Sequence, residues 1–335
     1  MSNAAPPHRL PHWLSVPGHG LLSFIPHRFE VREPNDVIDK LEFLLALARE
    51  KHFGRAAEAC GVTQPTLSAG VKQLEESFGV LLVIRGSRFQ GFTPEGERVL
   101  DWARRIVGDA QAMQQEVHAL KHGLAGRLRL SVVPTALAIM EQLTTPFRTQ
   151  HPAVQFTILS RTSEEILRDL DNLEIDAGLT YLDNEPLGRV TAIPLYRERY
   201  RLLVAADAPL ADRESVTWAE VAQVPLCLLT PDMQNRRIID RMLRETGIEP
   251  NIALESDSMV LLYSHVRTGR WASVMPARLA AALGLTENAS LRAIRIVGPE
   301  ASHTVGLVAP AREPMTPLVN ALVAEARRVA PTLTD

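Results

Sequence analysis

Positive charge is in short supply. The 335 residues carry 36 Lys and Arg against 39 Asp and Glu, a net charge of -3, so the molecule as a whole makes no electrostatic case for nucleic acid. Cysteine is scarcer: Cys60 and Cys227 are the only two. They stand far apart in expected core positions, which argues for buried reduced thiols and against a disulfide or a metal pair. No apolar run approaches the roughly 18 residues of a membrane span, so no membrane partner is expected. The phosphate loop GxxxxGK[ST], the dinucleotide turn GxGxxG, the nucleophile elbow GxSxG and the zinc motif HExxH are all missing, and with them the usual handles for an enzyme. No cofactor and no metal is expected. What is present, 46% hydrophobic and 22% charged residues, describes an ordinary soluble chain long enough for two or three domains.

Residues 1–34 differ in kind. Pro6, Pro7, Pro11, Pro17, Pro26 and Pro34 exclude a stable helix, and the apolar patch Leu21 to Ile25 is too short for a secretory signal. His8, His12, His19 and His27 match no tight ligand spacing. A disordered extension, or a start codon assigned too early, is the expectation.

One stretch is organised for a task. From His52 the chain reads HFGRAAEACGVTQPTLSAGVKQLEESFG, two short helical patterns separated by Gly61-Val62. Phe53, Ala56, Ala57 and Cys60 recur at helical spacing in the first. Leu67, Val71, Leu74 and Phe78 form one apolar stripe in the second. Thr63 stands as an N-cap and Pro65 in the first turn, where its missing N–H does no harm. The pattern is a helix-turn-helix. The other side of the second helix presents Gln64, Pro65, Thr66, Ser68, Ala69, Lys72 and Gln73, and short polar side chains near a helix N-terminus suit base edges in a major groove, with cations on the phosphates. Periodicity alone fits a helical hairpin with a hydrated outer face equally well. Local charge does not decide it: from Lys51 to Arg98, six Lys or Arg face five Asp or Glu. Ahead lies a helix that Asn35-Asp36 can cap, with Val37, Leu41, Leu44, Leu45 and Ala48 apolar. Behind, Leu81 to Ile84 and Arg85 to Phe92 read as two strands around a turn, a wing whose Arg85 and Arg88 suit phosphates.

The pieces LEFLLALA, AAEACGVTQPTLS, QLEESFGVLLVIR and GFTPEGERV, in that order and spacing across residues 37 to 96, resemble the winged helix-turn-helix of LysR-type transcriptional regulators. The resemblance implies an operator in double-stranded DNA, a cytoplasmic location and RNA polymerase as a further partner. One departure stands out. Where the family usually has a basic residue and a glutamine after the recognition-helix serine, this chain has Ala69 and Gly70, so groove contact is expected to lean on Gln64, Pro65, Thr66, Ser68 and Lys72.

From Pro94 to about His122 one long helix is expected, ending at Gly123. Val99, Ala103, Ile106, Ala110, Met113, Val117 and Leu120 step by alternating fours and threes, the 3.5-residue repeat that keeps a narrow stripe against a partner helix. A helix lying on its own domain gives the same period. In the family this helix pairs two subunits, and such dimers commonly assemble into tetramers.

Past Gly126 strands and helices alternate: strand Arg127 to Val133, helix Thr135 to Thr149, strands Val154 to Ser160 and Ile175 to Thr180 around helix Ser163 to Leu173. A second unit runs from Leu226 to Met275, and strand Thr304 to Val308 with helix Leu318 to Val329 returns to the first. Mostly parallel sheets are implied. The whole resembles the two-lobed fold of periplasmic solute-binding proteins, which is also the LysR effector domain. Strand C-termini are where such folds bind ligands, which nominates Pro134, Thr135, Thr180 and Thr230 for a small anion, with Arg236 or Arg237 as counter-charge; Val133 replaces a residue that is often polar in the family. The segment PLCLLTPDMQNRRIID further resembles members encoded beside formate dehydrogenase operons, which suggests formate or an oxyanion.

The expectation is therefore an α/β protein: an extension to 34, a winged helix-turn-helix over 35–93, a linker and dimerisation helix over 94–123, and an effector domain over 124–335 (lobe I 127–203 and 304–332, lobe II 204–303). It is expected to act as a DNA-binding regulator, not an enzyme. The alternatives are a small-molecule-binding α/β enzyme or a solute-binding protein with no DNA role; the latter would need a secretion signal.

Overall fold

The computed structural model describes residues 37–86, 88–183, 185–284, 290–299 and 302–333. The extension 1–34 and the Asn35-Asp36 cap lie outside the described residues. The N-terminal unit is α1 (Val37–Glu50), α2 (Phe53–Ala59), α3 (Gln64–Phe78), β1 (Val83–Arg85) and β2 (Phe89–Phe92). Leu41, Leu44 and Leu47 of α1 meet Leu67, Val71 and Leu74 of α3 in one core, each at most 2% exposed, and burying a leucine that fully contributes about 1.5–3 kcal/mol. The stripe expected on α3 stops short, because Phe78 falls in the last turn and is 49% exposed while Glu75 turns inward. Gly79, at φ 70°, ends the helix.

Next comes α4 (Pro94–His122), 29 residues long, with Thr93 capping it by accepting from Gly96 N at 2.9 Å. Its first half packs Leu100, Ala103 and Val107 into the N-terminal core. The expected seam is therefore corrected at one end. Ala103 is fully buried and Val99 half-buried against their own domain, whereas Trp102, Ile106, Met113, Val117 and Leu120 are exposed, with Ala110 half-buried between them. A straight helix drifts about 20° per heptad against a 3.5-residue repeat, which carries the early members toward the core and brings Trp102 into line.

The chain continues through β3 (Gly126–Val132), a 3-10 turn (Pro134–Ile139), α5 (Met140–Gln150), β4 (Val154–Ser160), α6 (Ser163–Asp171), β5 (Ala177–Tyr181) and β6 (Val190–Glu198). It then enters a second lobe of β7 (Tyr200–Ala205), β8 (Ser215–Thr217), α7 (Trp218–Gln223), β9 (Leu226–Leu229), α8 (Gln234–Arg244), β10 (Ile252–Ser256), α9 (Met259–Val266), β11 (Ser273–Pro276), α10 (Ala277–Ala282) and β12 (Leu291–Val297), and returns as β13 (His303–Pro310) and α11 (Pro317–Val329). Lobe I is one sheet in the order β4-β3-β5-β13-β6, lobe II a sheet β11-β7-β12-β8 with the parallel pair β9 and β10 attached by a Leu226–Ala272 bridge. Both sheets are mixed where mostly parallel ones were expected: β13 runs antiparallel to β5 and β6, and β7 to β11 and β12. The helix expected over 135–149 is split into the 3-10 turn and α5. The crossing between lobes lies at Arg199, earlier than the 203–204 boundary expected.

Lobe I touches the N-terminal half of the chain at several places, α11 packing on α4 among them. Leu173, in a left-handed conformation at φ 62°, packs on the edge of the helix-turn-helix core, and Arg312 reaches α4 at Gly108. No helix among the described residues is long and apolar enough to cross a membrane.

Candidate nucleic-acid interface and effector cleft

The N-terminus of α3 is held by Thr63, whose Oγ1 accepts from Thr66 N at 3.4 Å and lies 2.8 Å from the Thr66 hydroxyl. Gln64, Pro65, Ala69, Lys72 and Gln73 are exposed on one side; Thr66 and Ser68 are half-buried beside them. Lys72 sits 3.4 Å from Glu76, an exposed pair that holds the cation weakly. Gly70 is on the other side altogether. A β-carbon there would come within 2.7 Å of the Phe43 ring, so the glycine serves close packing of α3 on α1, and of the two departures from the family pattern only Ala69 faces outward.

Glu75 was not foreseen as a functional residue. Its buried carboxylate accepts from the backbone N–H of Leu82 and Val83 at 3.0 and 3.1 Å, which fastens the start of the wing to the rear of α3. Phe89 stacks edge-on against Phe53 of α2 and Phe92, fixing the other wing strand. Arg88 is exposed at the wing's turn; Arg85 lies in β1, its side chain outside what is described. His52 caps α2, its Nδ1 accepting from Gly54 N and Arg55 N at 3.1 and 3.3 Å. A glutamate at the position where an apolar stripe calls for a hydrophobe was the one signal in the sequence for Glu75.

Between the lobes, Pro134 and Thr135 are buried at the end of β3. The Thr135 hydroxyl lies 3.0 Å from that of Tyr181, which donates a short bond to Glu198 Oε1. Asn235 Nδ2, from the first turn of α8, donates to the Tyr181 oxygen at 3.2 Å, and Tyr196 donates to Glu198 Oε2 at 3.4 Å. Tyr200 borders the same carboxyl. Glu198 is 1% exposed, and burial pushes its carboxyl up to about 7 against the opposite pull of nearby donors, of which Tyr181 and Tyr196 are hydrogen-bonded to it.

The three threonines do not converge. Thr180 and Tyr181 are consecutive on β5 and point to opposite faces, so it is Tyr181 that meets Thr135; Thr230 is half-buried at the end of β9. Nor is Arg236 a free counter-charge. Its guanidinium is 5% exposed and bound to Asp240 at 2.7 Å, to Glu255 at 2.6 Å and to Leu229 O. Arg237 instead reaches across the lobes to Glu185 at 2.7 Å and Ser163 at 3.2 Å, and Gln234 donates to Asp183 O. A small anion entering here meets a buried carboxyl and arginines already paired with carboxylates, an arrangement that disfavours the expected anion pocket. A cavity of about 320 Å³ does exist, but between α4 and lobe I, lined by Gln115, His118, Leu124, Arg127 and Leu318 among others. Both thiols are held protonated, Cys60 and Cys227 each pushed up to about 11 chiefly by burial, and among the described residues no group of three or more His, Cys, Asp or Glu is placed to hold a metal.

The profile of the bacterial regulatory helix-turn-helix proteins of the lysR family matches residues 38–97, and that of the LysR substrate binding domain residues 121–331. The chain is similar to the DNA-binding transcriptional dual regulator OxyR of Escherichia coli K12, with 28% identity over 272 residues, 81% of this chain and 88% of that protein. Among solved structures it is similar to a full-length OxyR variant of Pseudomonas aeruginosa (26% identity, TM-score 0.69, 88% of this chain and 96% of that one). Its fold also matches that of full-length CbnR complexed with its target DNA (21% identity, TM-score 0.56, 88% and 99%).

Proposed function

This chain belongs to the LysR family of bacterial helix-turn-helix regulators, and we propose that it reads a two-fold operator as a homo-oligomer whose state is set between two effector lobes. It is a DNA-binding transcriptional regulator with an effector-binding domain, and not an enzyme. The reading elements are the exposed side of α3, through Gln64, Pro65, Thr66, Ser68 and Lys72, with Arg85 and Arg88 of the wing on phosphates. The observation that carries this is the orientation of α3: its apolar face is buried, its capped N-terminus is exposed among the described residues, and Glu75 ties the wing alongside. Two copies pair through Trp102, Ile106, Met113, Val117 and Leu120, placing two recognition helices on one face of the duplex, and dimers assemble into tetramers. The working compartment is the cytoplasm, and RNA polymerase is a further partner at the promoter.

The effector acts at the junction of Pro134, Thr135, Tyr181, Glu198 and Asn235, with Thr230 at its edge. Relatives are named for a peroxide response, but the two thiols here, Cys60 half-buried and Cys227 buried, lie in different domains and favour an input that needs no thiol chemistry. The buried carboxyl favours a neutral or hydrogen-bond-donating molecule; formate and oxyanions, which the resemblance of residues 225–240 to regulators near formate dehydrogenase operons suggests, are the contrasting arm of the ligand panel. The test is selection of genomic fragments by the purified full-length chain. Recovery of a discrete set with two-fold symmetry is expected, and indifference between selected and random DNA at low salt would refute the reading.

A further inference from the structure

Resting on the reading of a two-lobed domain that governs DNA binding, we propose that the lobes close on a proton: a protonated Glu198 carboxyl favours the closed arrangement, its ionisation opens it, and acidification is thereby an input to the regulator. Glu198 ends β6 where the chain crosses between lobes, and its neighbours come from both. Its two hydrogen-bonded partners, Tyr181 and Tyr196, belong to lobe I; lobe II reaches the cluster through Asn235, which donates to the Tyr181 oxygen, and through Tyr200, buried two residues along the chain. The carboxyl is buried yet pairs with no cation among the described residues. The two side chains that hydrogen-bond it, Tyr181 and Tyr196, are neutral donors.

The charged and titratable groups around it do not change that. On β13 its cross-strand neighbour is His303, whose imidazole is pushed toward the neutral form, chiefly by burial. Arg278 of α10 lies over the Tyr196 ring, 4.9 Å from its centre, and is bonded to Leu333 O. Arg197, bonded to Ser302, and Arg199 flank it in sequence and are exposed. Arg236 is held by Asp240 and Glu255. The phenols of Tyr181, Tyr196 and Tyr200 are all raised well above their ordinary value by burial and stay protonated throughout the neutral range.

Separating the lobes draws Tyr200 and Asn235 away from Tyr181 and admits water, which returns the carboxyl toward its ordinary value of 4.5 from about 7. A carboxyl raised in the closed form binds its proton more tightly closed than open. Closure is then strongest below about pH 4.5, weakens about tenfold per pH unit up to about 7, and is level beyond. From pH 5.5 to 7.5 the closed-to-open ratio falls about twentyfold.

The experiment uses the full-length chain with a Cys60→Ser background and a fluorophore pair on Glu141→Cys of α5 and Glu245→Cys just past α8, exposed positions in the two lobes. The interlobe distance is read from pH 5 to 8. The expected result is a reversible lengthening as pH rises in the parent chain and a short distance at every pH in Glu198→Gln. Tyr181→Phe, which removes a donor to the ionised carboxylate, is expected to move the transition to higher pH. Parent, Glu198→Gln and Tyr181→Phe giving one common trace overturns the proposal, as does a parent chain with no transition. Genomic DNA binding is measured on the same samples. Loss of all DNA binding beside an intact pH transition defeats the regulator reading alone, and DNA binding with a pH-independent distance defeats the proton inference alone.

Discussion

Arg312 occupies the place where a side chain at residue 108 would be. A β-carbon on Gly108 would stand 1.5 Å from Arg312 Nη1 and 2.2 Å from its Cζ, and Nη2 donates to Arg104 O at 3.3 Å. Burial lowers the guanidinium's affinity for its proton, with Asp109 and Asp171 pulling the other way. Lobe I is thus keyed into the middle of the linker helix.

Gly108→Ala should expel that guanidinium. The expected loss is about 1–3 kcal/mol, the usual range for overpacking a filled site, read as a lower urea midpoint, and small-angle scattering should report a more extended chain. Stability and scattering curves identical to the parent would show that the contact carries no load.

On the DNA side, Lys72→Ala is expected to reduce the slope of log affinity against log salt by about 1, whereas Ser68→Ala should lower affinity for selected fragments more than for random ones. Gly70→Ala should destabilise the fold through Phe43 and leave fragment preference as it was. If both surface variants bind selected DNA like the parent across a salt titration, α3 does not read the operator.

Substitution along α4 should split into two outcomes. Met113→Asp is expected to dissociate the oligomer while circular dichroism stays native, since Met113 is 61% exposed. Ala103→Asp should instead unfold the N-terminal unit, because it buries an unpaired charge. Light scattering and thermal melts on the pair separate them; a monomeric, fully folded Ala103→Asp would contradict the corrected seam.

Arg236→Ala leaves Asp240 and Glu255 facing each other without their shared cation. A loss on the order of 3 kcal/mol is expected, with a melting temperature that falls whether or not formate is present. Unchanged stability together with a lost formate response would restore the anion pocket.

Hydrogen peroxide should not alter DNA binding. With both thiols near 11, about one in three thousand is thiolate at pH 7.5. A peroxide-dependent shift that vanishes in Cys60→Ser or Cys227→Ala would overturn this.

The helix-turn-helix was legible because capping, proline placement and apolar spacing in residues 53–78 all depend on neighbours within a few residues. The linker helix was legible for the same reason. What could not be read depends on distant partners. Gly70 reads as a weakness in a recognition helix, although Phe43 of α1 leaves no room for a side chain there, and the glutamate at 75 breaks the apolar pattern without showing that its carboxylate fastens Leu82 and Val83. Thr135 was rightly placed at the end of its strand, yet Tyr181, Glu198 and Asn235, up to 100 residues further on, meet it only through the crossing at Arg199. The strands β6, β7 and β12 went unread because mixed sheets break the strand-helix alternation that made the others visible.

The rod formed by α4 gives the key at Gly108 its reach. From Gly108 back to Pro94 is 14 residues, about 21 Å of helix, and the reading head is packed along it as one body through Leu100, Ala103 and Val107, with the wing joined at the far end. A turn of about 10° around that point displaces the head by about 3.7 Å, close to the roughly 3.4 Å step between stacked bases. A pivot that small in angle is enough to move a side chain from one base pair to the next.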